Sequence, residues 1–308
     1  MMSRIRALFR TLRFLVNHPV GQRNRTAVLR RFFRWQVTSR IAGHALVVPF
    51  VNETRLLVRR GMQGATGNVY VGLHEFQPMA FLLHYMRQDD LFIDVGANIG
   101  SYTVLAAGAV GADVMAIEPS PNTFEQLQDN LHLNRLNTLV TPFLAAAGEA
   151  ASRVQFVADS GTTSHVLPGT SSVVLDGPGT LQVDVVMLDS LIASGPTKHS
   201  QLVMKLDVEG YELPALKGAV ELFEKGRPGA VIVEVNGSGM KYGYSDRQVI
   251  RFLEYYGLRE VSYDPFGRVL SERIEPGSQT RIFVRDTAEA KSRVLTAPRY
   301  VLSTGDNV

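Results

Sequence analysis

The chain has no cysteine among its 308 residues, which excludes disulfides, zinc thiolate sites and a thiol nucleophile and fits a reducing compartment. It lacks any uninterrupted apolar run near the roughly 18 residues needed to span a bilayer. Arginines break up every apolar stretch near the N-terminus, so no secretory signal is expected and the cytoplasm is the default compartment. Acids are scarce in the opening segment: residues 1–60 hold thirteen arginines against the single acid Glu53, a net of +12. The whole chain carries only +3, which leaves −9 on the other 248 residues. A basic arm is therefore joined to an acidic body. Length and a 45% apolar content suit one large domain plus an extension, and no internal repeat is visible.

Against these absences stands one informative block. Leu91-Phe92-Ile93-Asp94-Val95 is an apolar, β-branched run, too short for a helix and bounded by Gly96, as expected of a parallel strand buried on both faces. Gly96 and Gly100 allow a sharp turn and a close approach to a ligand. Residues 101–109 read as a helix whose first turn presents unpaired N–H groups to that ligand. A second strand ends at Glu118, placed to accept hydrogen bonds from ribose hydroxyls. This is the layout of a nucleoside-cofactor site. A dinucleotide fold would show G-x-G-x-x-G, but Ala97 and Asn98 interrupt that pattern. Asp94 would repel a pyrophosphate and would tolerate a sulfonium or a zwitterionic amino acid, which favours S-adenosylmethionine (SAM) over NAD. A ligand-free crossover of the same shape is the plain alternative.

A second block, Lys205-Leu206-Asp207-Val208-Glu209-Gly210-Tyr211-Glu212, resembles the K-x-D-V-E-G-x-E signature of the FkbM family of class I SAM-dependent methyltransferases. Further parts of that pattern match in order: Glu118-Pro119, Asn130 to Asn134, Gly161-Thr162-Thr163-Ser164, 183–191 and 231–234. The resemblance spans roughly residues 68–285. It implies an α/β fold with a Rossmann-like sheet of seven mostly parallel strands and an antiparallel edge strand. It also implies SAM-dependent methyl transfer, usually to an oxygen of a sugar, glycolipid or secondary metabolite, without naming the acceptor. Residues 1–67 are then a basic helical extension with short strands, 68–286 the methyltransferase domain, and 287–308 a loosely held C-terminal tail. Two strands near 154–157 and 182–187 read as an inserted β-hairpin whose long loop could reach over the site. Gly61, Gly64 and Gly67 read as a glycine-rich link.

In such a sheet the chemistry lies at the carboxyl ends of the strands. Asp207 is the first choice for orienting or deprotonating an acceptor hydroxyl; the alternative is an ion pair with Lys205, which shares its phase in an extended segment. Glu209 shares that phase if the chain stays extended, and is a second acceptor-binding carboxylate. His165 is the best histidine for proton shuttling, or else a plain loop residue. Glu75, beside His74, is expected near the methionine end of the cofactor. Together with Glu75, the expected cofactor contacts are Asp94, Gly96, Asn98, Gly100 and Glu118, with Ala146, next to Ala145, at the adenine. Glu234 and Asn236 could bind acceptor hydroxyls, or be structural. Asp207 and Glu209 alone supply too few ligands for Mg²⁺, so no metal is expected. Asn236-Gly237-Ser238-Gly239 follows a core strand in place of an N-P-P-Y-like tetrapeptide, which argues against methylation of a base amine. Glu212 is expected to begin a helix, favoured there by the dipole.

The arm has its own pattern. Ile5, Leu8, Phe9, Leu12, Leu15 and Val16 fall at helical spacing among arginines, and Val28, Phe32, Trp35 and Ile41 form a looser segment after His18-Pro19. Three partners are open: an anionic membrane at the inner face, contacted through residues 1–40; the catalytic domain or a partner subunit in a homo-oligomer; and nucleic acid, unlikely because no RNA motif accompanies the arginines. The rival to an enzyme is a scaffold that keeps the fold and works through the arm.

Overall fold

Five parallel strands form the centre of the computed structural model, which describes residues 2–157, 165–167, 180–193, 199–273 and 278–308. Leu91–Val95 (β1), Asp113–Ile117 (β2), Val140–Phe143 (β3), Leu202–Leu206 (β4) and Pro228–Glu234 (β5) lie side by side in the order β3-β2-β1-β4-β5. Beyond β5 the sheet continues through Thr280–Val284, Arg259–Asp264 (β6) and Val269–Ser271 (β7), the first of these being β8 in chain order. β8 runs antiparallel to both β5 and β6. The architecture is thus α/β with a large, mostly parallel sheet. It has eight strands rather than seven, and the reversed strand β8 lies inside the sheet instead of at its edge. The reason is a hairpin: Asp264 accepts from the Phe266 N–H at 3.1 Å and Arg268 adopts a left-handed φ of 53°, folding β7 back onto β6 as the outer strand.

Each central strand is apolar on both faces because both are covered. Phe92, Val203, Ala230 and Ile232 face one core, whereas Ile93, Val95, Met204, Leu206 and Val231 face the other. Asp94 and Lys205 share the phase of Phe92 and Val203, and the parallel register sets them directly opposite each other on β1 and β4. A buried charge pair therefore stands near the carboxyl end of the sheet.

The basic arm forms three helices, Met2–Asn17 (α1), Pro19–Arg23 (α2) and Arg25–Ala42 (α3). His18 makes the break between the first two: its Nδ1 accepts from the Val20 N–H, capping α2, and its Nε2 bonds the Leu73 carbonyl oxygen at 3.0 Å. Leu15, Val20, Val28, Phe32 and Trp35 are buried in the same core as Phe92. A strand pair, Leu46–Pro49 with Arg55–Val58, follows and is tied to the helix Pro121–Leu133 by two asparagines. Asn130 accepts from the Leu57 N–H and donates to the Ile99 carbonyl, while Asn134 bonds both backbone groups of Arg55.

Two expectations change here. Of the glycine-rich stretch, Gly64 and Gly67 lie in a helix, Gln63–Val71, and Gly61 stays in the turn before it; a Cβ at Gly67 would sit 2.1 Å from Nδ1 of His74, so this glycine admits the imidazole and does not loosen the chain. Residues 287–308 are not loosely held. Thr287–Thr296 is a helix capped by Asp286, with Ala290 and Val294 buried and Arg293 paired to buried Asp90 at 2.7 Å. Tyr300, Leu302 and Val308 are buried as well, and Leu302 bridges to Val51. Among the described residues, no helix is long and apolar enough to cross a membrane.

The inserted hairpin is part of a four-stranded sheet, in which Ser152–Val157 pairs antiparallel with Thr180–Val186 and is flanked by His165–Val166, while Ala146–Ala147 adds on the far side. The Gly161-Thr162-Thr163-Ser164 motif and most of the long loop lie outside the described residues.

Candidate functional site

Two connected cavities open at the carboxyl ends of β1, β2, β4 and β5. The smaller, about 110 Å³, is lined by Gly96, Glu118, Ala145, Ala146, Phe156 and Val166, among others. The larger, about 1,050 Å³, runs from Asn98, Ser101 and Tyr102 past Lys205 and Glu234 to Phe14 and His18 of the arm. Asn98, Asp207 and Glu209 border both.

The smaller cavity suits a nucleoside. Glu118 is held by two backbone donors, the N–H of Asn98 on Oε2 and that of Ser120 on Oε1, both at 2.9 Å. Each oxygen keeps lone-pair capacity for a further donor, as a ribose diol requires. Burial pushes the Glu118 carboxyl up to about 7 despite those two hydrogen bonds. Ala145 and Ala146 offer a flat wall, and Phe156 and Val166 of the inserted sheet close over it. The sequence placed Phe156 in an inserted hairpin but did not single out either Phe156 or Val166 as lining the cavity, since that depends on how the inserted strands pair.

The glycines of the turn divide the work. At Gly96, φ is 75° and a Cβ would lie 1.9 Å from the Asp207 carbonyl oxygen, so this residue lets β1 and β4 converge at the cavity. Gly100 borders neither cavity: its φ is 88°, and a Cβ would meet Leu127 Cδ1 at 2.5 Å, so its absent side chain serves packing and not ligand approach. Asp94 also borders neither cavity. It is fully buried, accepts from Thr103 Oγ1 at 2.7 Å and faces Lys205 Nζ at 3.5 Å. Burial raises its carboxyl, with Lys205 and the Thr103 hydroxyl opposing.

Lys205 is the hub of the larger cavity. Its Nζ donates to the Gly96 carbonyl at 2.8 Å, lies 3.3 Å from Asp207 Oδ2, and is buried. Burial disfavours the ammonium, but Asp207, Asp94 and Glu75 outweigh it and raise the lysine pKa. The ion pair leaves the Asp207 side chain 36% exposed, and the residue borders both cavities. Glu209 arrives by a different route from the extended one. The chain turns after Leu206, Glu209 takes a left-handed φ of 52°, and Gly210 follows at 101°. The turn still brings Glu209 into a group with Asp207 and Glu234, one oxygen from each lying within 4.8 Å of the others, close enough to share a cation. Burial, then Asp207, pushes Glu209 up to about 7 and raises Glu234 well above the usual carboxylate range. Glu75 lies in the same cavity, where Tyr102 and Thr280 hydroxyls donate to it; burial and Asp207 raise its carboxyl.

Other expected residues stand apart. His165 pairs with Val157 in the inserted sheet and borders neither cavity. Asn236 accepts from the Ser238 N–H in a turn. Glu212 begins its helix and also accepts from the Val208 and Gly210 N–H groups, which shapes the turn carrying Glu209.

The chain is 31% identical over 155 residues to the hexuronic acid methyltransferase AglP of Haloferax volcanii, an alignment covering 50% of this chain and 59% of that protein. It is 24% identical over 151 residues to Methyltransferase 1 of Beauveria bassiana, covering 42% and 58%. The chain therefore spans less than two thirds of the length of these relatives. Solved structures that overlap it include the precorrin-6y C5,15-methyltransferase of Geobacter metallireducens, at 10% identity and a TM-score of 0.38, covering 69% of this chain and 86% of that one. TYW2 of M. jannaschii in complex with AdoMet overlaps at 13% identity and a TM-score of 0.36, covering 78% and 83%. Residues 94–260, more than half the chain, match the methyltransferase FkbM domain. From Asp94 at the end of β1 to the start of β6, the chain belongs to the FkbM methyltransferase family.

Proposed function

We propose that this protein is a SAM-dependent methyltransferase that methylates a hydroxyl of a saccharide, glycolipid or secondary metabolite. The observation that carries the reading is the meeting of the two cavities at Asp207. One side offers a ribose-binding carboxylate and a small-residue wall; the other offers a chamber lined by Glu75, Glu209, Glu234, Asn68 and Gln279. The name of the Haloferax relative supports a sugar acceptor of the hexuronic acid type.

The residues present fit SAM. Glu118 would hold the ribose, Ala146 and its neighbours the adenine, and Asn98 and Glu75 would lie toward the amino-acid end, with Gly96 permitting the close approach. When bound, SAM supplies a methyl group activated on a sulfonium. Asp207 accepts the hydroxyl proton of the acceptor and aims its oxygen, while Lys205 keeps Asp207 oriented and balances its charge. Glu209 and Glu234 accept hydrogen bonds from neighbouring acceptor hydroxyls. Lys205 already supplies a positive charge to this group, so the proposal includes no metal. Buried carboxylates that raise one another's pKa cost stability, which counts against a scaffold without turnover. The arm supports peripheral contact with an anionic membrane at its cytoplasmic face.

The experiment is a calorimetric titration with S-adenosylhomocysteine, with NADH alongside, on wild type and Asp207→Asn. Wild type should bind S-adenosylhomocysteine alone, and the variant should keep that affinity while losing methyl transfer to hexuronic acid glycosides. Binding of NADH alone would overturn the reading.

A further inference from the structure

Helix α3 has two apolar faces. Val28, Phe32 and Trp35 are buried in the domain core, whereas Phe33, Val37 and Ile41, spaced four residues apart along the opposite face, are 58%, 57% and 81% exposed. Arg30, Arg34 and Arg40 stand exposed around that stripe. Helix α1 repeats the arrangement: Leu8 and Phe9 are exposed between Arg6, Arg10 and Arg13. Residues 1–50 contain no acid at all. Grouped apolar side chains in water mark a surface that another body covers. Arginines without a single acid would repel a second copy of the same face and select an anionic partner. A polynucleotide would neutralise the arginines yet leave Phe33, Val37 and Ile41 in water. An anionic bilayer meets both demands, since phosphates take the guanidinium groups and the headgroup boundary takes the apolar side chains.

We infer that the outward faces of α1 and α3 dock on an anionic lipid bilayer, with Leu8, Phe9, Phe33, Val37 and Ile41 as the inserting residues. The same helix α1 lines the larger cavity with Phe14 and Asn17. From Phe9 to Asn17 the axial rise is about 12 Å. Docking therefore brings the acceptor chamber to the membrane surface and makes its natural acceptor a hydroxyl on a membrane-anchored glycan. That second step rests on the methyltransferase reading; the docking itself does not.

The test is flotation of the full chain with phosphatidylcholine vesicles, with and without phosphatidylglycerol. Wild type should float only with the anionic vesicles. The triple variant Phe33→Ser, Val37→Ser, Ile41→Ser should lose about tenfold in bound fraction, and Phe9→Ser should lose a smaller amount from a separate helix. Melting temperature and S-adenosylhomocysteine affinity should stay unchanged in both, because these side chains face solvent. The inference is overturned if wild type fails to float, if the triple variant floats like wild type, or if the triple variant instead abolishes a dimer seen by sedimentation. Equal binding of both proteins to an RNA homopolymer without vesicle binding would overturn it too. Vesicle binding without S-adenosylhomocysteine binding would leave the docking standing and sink the methyltransferase reading.

Discussion

With Glu118 as the ribose ligand, the binding of S-adenosylhomocysteine should depend on pH across neutrality. The carboxyl is buried, and burial outweighs its two backbone hydrogen bonds to place its pKa at about 7 in the free protein. A ribose diol donates hydrogen bonds, so it favours the ionised form, and binding below that pKa must first expel a proton. At pH 6 about one molecule in eleven is ionised, and at pH 8 about ten in eleven, for a group titrating near 7. Affinity should therefore rise about tenfold between pH 6 and pH 8, or about 1.4 kcal/mol. Calorimetry at pH 6 in buffers of different ionisation enthalpy should show release of about 0.9 proton per ligand bound. Glu118→Gln should flatten the profile. It should also weaken binding at pH 8 by about 1.5–3 kcal/mol, the usual worth of hydrogen bonds to a charged group. A wild-type affinity that is level or falling over this range, or a variant that keeps the wild-type profile, would refute the ribose assignment. A rise retained in Glu118→Gln but absent in Glu209→Gln would move the effect to Glu209, whose carboxyl also titrates at about 7.

Three further outcomes follow from the same geometry. Asp207→Asn should lower turnover by about 10²-fold or more while S-adenosylhomocysteine affinity stays close to wild type; a loss of affinity would make Asp207 a structural residue. Lys205→Met leaves fully buried Asp94 without its counter-charge, and chemical denaturation should show a loss of about 3–5 kcal/mol, whereas a loss under about 1 kcal/mol would show that the pair does not organise β1 and β4. Truncation after residue 286 removes buried Ala290, Val294 and Tyr300 and the Arg293 partner of Asp90, so the shortened chain should melt far below wild type or fail to fold; an unchanged melting curve would make the segment dispensable.

Some of the site was written in local order. β1, its turn and β2 are consecutive, and the contact of the Asn98 N–H with Glu118 joins residues only some twenty positions apart. Asp207 and Glu209 were likewise visible in one short motif. The arm could be read as helical from its spacing, but not which of its faces would be covered. That Gly100 and Asp94 border neither cavity was not legible, because a glycine that fits a neighbouring leucine and one that fits a ligand look alike in sequence, as do an acid beside a cavity and an acid buried behind it.

What the amino-acid sequence determined by itself was the class of fold, the glycine turn after β1 and the acidic motif after β4. Each is written in a short segment, where neighbours in sequence are neighbours in space. Only the tertiary structure decided that Glu234 joins Asp207 and Glu209, that Phe156 and Val166 line the smaller cavity, and that the last helix and the basic arm pack into the shared core. Those outcomes depend on the order of β5, β8 and β6 in the sheet, on the pairing of the inserted strands and on the register of distant segments. Long-range packing free energy sets all three, and no local pattern encodes it.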